Sequence, residues 1–236
     1  MRNLATTKLA GVILTSVLLT ACQAVHTGPT QHESVHFDLD KSEGTRVELR
    51  MGAGELAVSG GSGKLAEADF AYNVAGWKPV VDYHSTGTRG DLSISQPEGV
   101  TGLGSTEYRW DVKLNDGVQM DVVAKLGAGE ARMNLGSMNL RSVEVNLGAG
   151  QVDMDLRGNP KRSYDVRING GVGEATVRLP KGVAIDATAK GGIGEIDVRG
   201  LEQRNGRWVN PAHEQSPVII HLDVKGGVGQ INIIAE

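Results

Sequence analysis

The sequence is poor in the residues that usually support catalysis, disulfide cross-links and large aromatic cores. It has a single cysteine, so the chain cannot form an internal disulfide. Aromatic residues make up 4% of its 236 residues, so its core must be built from aliphatic side chains on closely approaching backbones. The sequence also lacks a Gly-x-Ser-x-Gly nucleophile elbow and a Gly-Lys-Ser/Thr phosphate loop. We therefore predict a protein that is not an enzyme and that has no catalytic residues and no cofactor.

Long hydrophobic runs are scarce, apart from one near the N-terminus. Arg2 and Lys8 precede the apolar stretch Leu9–Leu19, which is typical of a secretory signal and too short to span a bilayer stably. The following Leu19-Thr-Ala-Cys22 resembles the lipobox of bacterial lipoproteins. This predicts a cleaved signal peptide over residues 1–21 and a diacylglyceryl group on the sulfur of Cys22. The alternative is an ordinary signal peptide with an incidental cysteine.

A lipid anchor on Cys22 would hold the mature protein on a membrane surface. Because Gln23 rather than Asp follows the cysteine, that membrane would be the outer membrane if the envelope is Gram-negative. Residues 22–34 contain little apolar sequence and are predicted to be a flexible tether. Without Arg2 and Lys8 the net charge is −6, which disfavours nucleic acid as a partner.

A Gly-x-Gly-Glu/Gln step recurs six times, and each copy is flanked by strand-like sequence. If the second glycine of each step is position zero, successive steps are 75, 21, 23, 21 and 35 residues apart. Self-similarity at 21 to 23 residues predicts stacked coils, with three diverged coils in the long interval and one coil plus an insertion in the last. The step glycines, which we predict to be structural, are Gly52, Gly54, Gly127, Gly129, Gly148, Gly150, Gly171, Gly173, Gly192, Gly194, Gly227 and Gly229.

Apolar residues alternate on both sides of the step, but their phase changes across it. They occupy odd positions before the second glycine, as in Val143 and Val145, and even positions after it, as in Val152 and Met154. A straight strand cannot change phase, so the step must be a corner. In the first three copies the residue three before zero is large. In the last three copies that position is glycine and the residue directly before zero is large instead, as in Gly170 and Val172. This predicts compensating volumes within the core.

Two polar columns flank the step. The position four before zero holds a basic residue or Asn, as in Lys125, and the position after zero holds Glu or Gln. We expect the basic column to neutralise the carboxylates if the two columns lie close together. The alternative for the second column is a calcium site using Glu174 and Glu195, although the usual loop of several Asp or Asn ligands is missing. We therefore predict no metal site.

His32-Glu-Ser-Val-His36 matches the zinc-protease pattern His-Glu-x-x-His. That motif requires a helix, where residues four apart share a face. Here Val35, Phe37 and Leu39 alternate as in a strand, which would separate the two histidines by roughly 13 Å. The match therefore does not predict a zinc site.

The insertion at residues 200–217 interrupts the last interval. Long excursions from a solenoid often carry binding, so Trp208, Arg207 and His213 are candidate binding residues. The alternative is that Trp208 covers the open end of the last coil. The segment 72–83 would cap or widen the other half in the same way.

Two segments resemble the bacterial toast-rack envelope proteins. They are Trp110–Glu130 and the C-terminal pair formed by Trp208-Val-Asn-Pro and Ile219–Ile233. The resemblance covers roughly 35–236. It implies an exported or membrane-attached β-repeat domain, related to cell-wall-stress regulators or adhesins, and it implies no catalytic residues.

These patterns predict an all-β protein, a single-chain solenoid that resembles a right-handed β-helix. Its diverged N-terminal half would cover residues 35–124, and its regular coils residues 125–236. The predicted function is a non-catalytic binding or scaffold module on the cell envelope, with a membrane contact through its lipid and an envelope protein or glycan as partner. The alternative is a solenoid that binds or modifies glycans.

Overall fold

The computed structural model describes residues 23–103 and 105–236. Within these ranges the chain forms seventeen strands and two short 3-10 helices. The strands are β1 (Gln23–His26), β2 (Gln31–Phe37), β3 (Gly44–Ser62), β4 (Ala66–Tyr72), β5 (Val80–Thr86), β6 (Arg89–Ser95), β7 (Val100–Leu103), β8 (Tyr108–Asn115), β9 (Gln119–Asn134), β10 (Leu140–Asp155), β11 (Tyr164–Leu179), β12 (Ala184–Lys190), β13 (Ile193–Arg199), β14 (Glu202–Arg204), β15 (Arg207–Val209), β16 (Ile219–Lys225) and β17 (Val228–Ala235). The 3-10 helices are Ala75–Trp77 and Pro211–Glu214.

The repeat strands stack in parallel with their glycine steps side by side. β3, β9, β10 and β11 pair in this order, and Gly150 on β10 lies between Gly129 and Gly173. In-register parallel pairing puts equivalent residues of successive coils in columns about 4.8 Å apart. The prediction of an all-β solenoid is therefore confirmed.

Each long strand turns a corner at its glycine step. In β10, Val145 and Leu147 are buried before the step, whereas Val152 and Met154 are buried after it. The odd-to-even change of phase predicted from the sequence is therefore confirmed. The apolar side chains of both halves meet in one core, which continues through all the coils.

The backbone at the corner explains why glycine occupies it. Gly150 has a φ of 133°, a conformation that L-residues rarely adopt. A Cβ built there would come closer than 3.0 Å to the carbonyl oxygen of Gly129 in the adjacent coil. The equivalent overlap with a neighbouring backbone oxygen occurs at Gly54, Gly129, Gly173, Gly194 and Gly229. The column therefore leaves no room for side chains between adjacent backbones.

The order of the coils in space differs from their order along the chain. β16 and β17 pair with β11 on one side and with β12 and β13 on the other. The coil at 219–235 therefore lies between its two predecessors, and the coil at 184–199 is outermost. The insertion that follows this coil carries the chain back along the stack.

The long N-terminal interval contains one diverged coil rather than the three we predicted. β3 pairs directly with β9, while β6 and β8 pair in parallel with the first and second halves of β3 on its other side. Antiparallel strands cover this coil: β5 pairs with β6, β4 with β8, and β2 with β4. Repeat period alone could not show this, because these covering strands do not follow the coil pattern.

The segment 22–34, which we predicted to be a flexible tether, contains strand residues instead. Gln31–Phe37 pairs along its whole length with β4, and Gln23–His26 pairs with β7. His32 and His36 therefore lie on a strand and not on a helix, as the alternation predicted, and both are exposed. Cys22 and the predicted signal peptide lie outside the described residues. No helix within residues 23–103 and 105–236 combines the length and apolar character needed to cross a membrane.

Candidate binding groove

A groove follows the outer side of the corner across four successive coils. Its cavity has a volume of about 900 Å³. Four short segments from β3, β9, β10 and β11 form its floor, and the loop that follows β6 forms one end. The lining residues are Arg50, Met51, Gly52, Gln96, Pro97, Glu98, Gly99, Lys125, Leu126, Gly127, Asn146, Leu147, Gly148, Asn169, Gly170 and Gly171. We call this cavity the corner groove.

The polar side chains on the floor of the groove come from the column four residues before the corner glycines, and the loop at its end adds Gln96 and Glu98. Arg50 pairs with Lys125, Lys125 with Asn146, and Asn146 with Asn169. The column thus presents two cations followed by two amides at intervals of about 4.8 Å. The glycines two positions further along lack side chains, so a ligand can approach the backbone there. This arrangement suits an extended ligand that runs across the coils.

The cations of the column are held by a carboxylate on β3. Lys125 Nζ lies 2.8 Å from Glu48 Oε1, and Arg50 Nε lies 3.7 Å from the same oxygen. The hydrogen bond from Lys125, aided by the charge of Arg50, lowers the pKa of the Glu48 carboxyl against a partial desolvation cost. About half of each cationic side chain stays exposed, so both can still contact a ligand in the groove.

We expected this column to neutralise the carboxylates beyond the corner if the two columns lie close together, but other residues pair with those carboxylates. Glu55 is 3.1 Å from Arg109, and Glu130 is 2.6 Å from Arg132. Both arginines belong to the half of the coil that follows the corner. Because the chain bends between the two columns, the residues of each column form ion pairs with charged residues on their own face of the coil.

The two amides form a ladder in the middle of the groove. Asn169 Nδ2 donates to Asn146 Oδ1 at 2.9 Å, and Asn146 Nδ2 donates to Glu144 Oε1 at 2.8 Å. These bonds fix the orientation of both side chains. They preorganise the column, so a ligand that binds there would lose less affinity to side-chain ordering.

The end of the groove was not predicted from the sequence. Gln96, the residue after β6, accepts a hydrogen bond at 2.7 Å from the backbone N–H of Gly52 through Oε1. This contact holds the start of the 96–99 loop against the corner of β3. A second hydrogen bond, from Gln96 N–H to the carbonyl oxygen of Arg50 at 2.8 Å, supports this position. The loop lies outside the repeat and matches no motif, so only its contacts in the structure identify it as part of the site.

The character of the corner changes beyond Asn169. Here the residue before position zero is large, and we expected it to fill the core. That expectation is wrong, because Val172, Val228 and Ile193 are 56%, 47% and 73% exposed. Inside the corner, the glycines three before zero leave a small cavity of about 30 Å³ with a mainly apolar lining. The groove therefore continues into an exposed apolar row.

The three candidate residues of the insertion lie on β15 and on the second 3-10 helix. Trp208 lies on β15 opposite Ala187 and packs half-buried against the core, so it covers the outermost coil, residues 184–199. Arg207 forms an ion pair with Asp186 and lines a separate shallow cavity with His221. His213 lies in the 3-10 helix Pro211–Glu214.

The proposed calcium pair is also separated. Gln230 stands between Glu174 and Glu195 because β17 lies between β11 and β13. Glu174 instead accepts hydrogen bonds from Thr176 and Asn232. Across the described part of the chain, no group of three or more His, Cys, Asp or Glu side chains could hold a metal ion.

Comparisons with known proteins agree with this fold. The family model for the N-terminal domain of toast_rack matches residues 26–178. A crystal structure of a candidate cell adhesion protein from Clostridium sporogenes is 33% identical, with a TM-score of 0.85, and the match covers 88% of this chain and 100% of that one.

Two further solved structures are much less similar. A candidate adhesin from Parabacteroides merdae is 10% identical, covers 88% of this chain and 98% of its own, and has a TM-score of 0.31. A candidate lipid binding protein from Parabacteroides distasonis is 11% identical, covers 89% of this chain and 99% of its own, and has a TM-score of 0.32. A comparison with curated proteins gave no match.

Proposed function

The chain belongs to the toast-rack family, and on this premise we propose that it is a non-catalytic binding module of the cell envelope, anchored through a lipid on Cys22. The family match confirms the resemblance noted in the sequence. The Clostridium sporogenes relative is named for cell adhesion, which supports a binding module. We assign adhesion to this chain as part of the proposal.

The observation that carries the proposal is the corner groove. It is about 900 Å³ in volume, crosses four coils and contains a preorganised row of two cations and two amides. We propose that it binds an extended polymer bearing acidic groups, which would meet Arg50 and Lys125. The residues that line the groove include no Ser, Thr, Cys or His, so the arrangement is suited to holding a ligand.

The alternative of a glycan-binding solenoid is favoured by the same row of amides. Asn146 and Asn169 offer hydrogen-bonding groups that suit sugar hydroxyls. The residues that line the groove include no aromatic side chain. A glycan would therefore bind through hydrogen bonds and charge, without ring stacking.

A bead adhesion assay tests the proposal. Beads coated with the full chain would be washed over separate surfaces of envelope polysaccharide and envelope protein, and retention would be compared with that of the double variant Arg50→Gln/Lys125→Gln. We expect the double variant to lose at least tenfold in retention on one surface and the wild type to weaken with salt, because the contact is ionic. Lys161→Gln, in an exposed loop away from the groove, is the matched control. Equal retention of the double variant and the control would contradict a role for the groove.

A further inference from the structure

The outermost strand of the stack, β13, has an open edge. Within residues 23–103 and 105–236 it pairs only with β17. The neighbouring half of the same coil, β12, is covered by β15, and at the far end of the stack β5 and β4 cover β6 and β8. Open strand edges are templates for pairing with another chain.

The side chains of β13 show that the core itself is uncovered there. Ile196 occupies a column whose members are buried in most other coils, including Leu56 and Ile231, yet it is 40% exposed. Ile193 at the corner is 73% exposed. Solenoids usually cover such end coils, because each coil buries its apolar face only against a neighbour.

We propose that β13 pairs antiparallel with β13 of a second copy of this chain, about a twofold axis at Asp197. In this register Ile196 lies opposite Val198 of the second copy on the core face. On the outer face, Glu195 lies opposite Arg199 of the second copy. The twofold axis repeats both contacts, so each apolar and each charged pair occurs twice.

The backbone of β13 is oriented for this pairing. Beyond the corner of β17, Glu236 N–H donates to the carbonyl oxygen of Leu179 on β11 at 3.0 Å. Because backbone groups alternate between the two edges of a strand and β13 pairs in register with β17, those of Ile196 and Val198 face the open edge. Opposite each other, these two residues exchange both of their N–H···O bonds, and the twofold axis gives four such bonds in total.

Charge complementarity and the end of β13 together select the register. An axis at Ile196 would place Glu195 opposite Asp197 twice, and like charges directly opposite each other are destabilising. An axis at Val198 would place Asp197 opposite Arg199, but it would move Ile196 opposite Gly200, beyond the end of β13. An axis at Asp197 instead pairs Glu195 with Arg199. The two Asp197 side chains that then face each other are each held by their own Arg199, whose Nη2 lies 2.6 Å from Asp197.

The β14–β15 hairpin pairs with β12 and not with β13, so it leaves the edge of β13 open. The paired edge is short, so we expect association to depend on concentration at the membrane.

Disulfide cross-linking tests the pairing. Directly opposite residues in a pair without mutual hydrogen bonds have Cα atoms about 4.5 Å apart, within the range that a disulfide spans. The full chain carrying Asp197→Cys would be expressed in its own envelope, oxidised, and run on a non-reducing gel. We expect a band at twice the monomer mass. Asn232→Cys, one strand inward at the same register, is the matched control and should give none.

Charge exchange tests the register. Adding Arg199→Glu to Asp197→Cys should lower the yield of the cross-linked pair at least fivefold, and adding Glu195→Arg as well should restore it. All three positions lie on the outer face, and thermal unfolding would verify that each variant is folded. The wild type, which has only Cys22, sets the background. No band above this background from Asp197→Cys, a band at another mass that marks a different partner, or failure of the exchange to restore the yield would overturn the proposal.

Discussion

Alanine substitutions at four glycines separate the two physical reasons for the corner column. Gly150 has both a left-handed φ of 133° and a neighbouring carbonyl oxygen where a Cβ would sit. Gly148 has the overlap without the left-handed φ, and Gly61 has a φ of 93° with open space around it. Gly182 has neither constraint. The four positions therefore cover all four combinations of the two effects within one chain.

The expected losses follow from these geometries. A residue forced into a sparsely populated backbone region costs about 1 to 3 kcal/mol, which is the loss we expect for Gly61→Ala. Overpacking costs about 1 to 3 kcal/mol, as expected for Gly148→Ala. Gly150→Ala should lose about 2 to 6 kcal/mol, since both effects apply. Gly182→Ala should be neutral or stabilising by up to about 1 kcal/mol, because alanine restricts the unfolded chain.

Urea unfolding followed by circular dichroism measures these free energies for all four variants. The order of stability should be Gly182→Ala, then the two single-effect variants, then Gly150→Ala. If Gly150→Ala unfolds within about 0.5 kcal/mol of the wild type, an error typical of such extrapolations, the contact between neighbouring glycine backbones does not exclude side chains and the packing argument fails.

Four further predictions concern the core, the cap, the acid response and the anchor. Met154→Ala should lose about 2 to 5 kcal/mol in urea unfolding because it opens a cavity at a fully buried site, and an unchanged midpoint would contradict the shared core. Asn210→Ala should lose about 2 to 4 kcal/mol, since its buried amide bonds the backbone of Ile185 and Val183; a loss no larger than that of an exposed Asn would contradict this role. The hydrogen bond from Tyr83, followed by those from Ser42, lowers the pKa of Asp40 to about 2. The stability that the ionised Asp40 contributes is therefore present above about pH 4 and is lost as the pH falls through about 2. Tyr83→Phe should weaken the dependence of the urea midpoint on pH over that interval, and an unchanged dependence would argue against the bond. Cys22→Ala should abolish metabolic labelling with a lipid analogue, and equal labelling of wild type and variant would reject the anchor.

The coil architecture could be read from the sequence because it depends on local repetition. The change of phase around Gly150 and its equivalents requires a corner wherever the residues on both sides share a core. The stacking order could not be read in the same way. β16 pairs with β11 through residues such as Val224 and Ile168, and these apolar side chains are interchangeable with those of the other coils.

The groove was only partly predictable. Its column of cations and amides was visible in the alignment of the repeats, but the counter-charge at Glu48 lies outside the repeated columns. Gln96 closes the groove from a loop that has no counterpart in the other coils. We predicted that Val172 lies in the core, because its volume compensates for the glycine three residues before position zero. The corner instead turns that position outward. Long-range placement, rather than local propensity, decided each of these cases.

The most direct test of the binding proposal is photo-cross-linking from within the groove in the intact envelope. A photoreactive phenylalanine derivative would replace Asn146 in the full chain, and the same derivative at Lys161 would report non-specific contacts. The account predicts a discrete protein or glycan adduct from position 146, lost in the Arg50→Gln/Lys125→Gln background and absent from position 161. Matching adducts from both positions, or none from position 146 in the folded, exported chain, would contradict it.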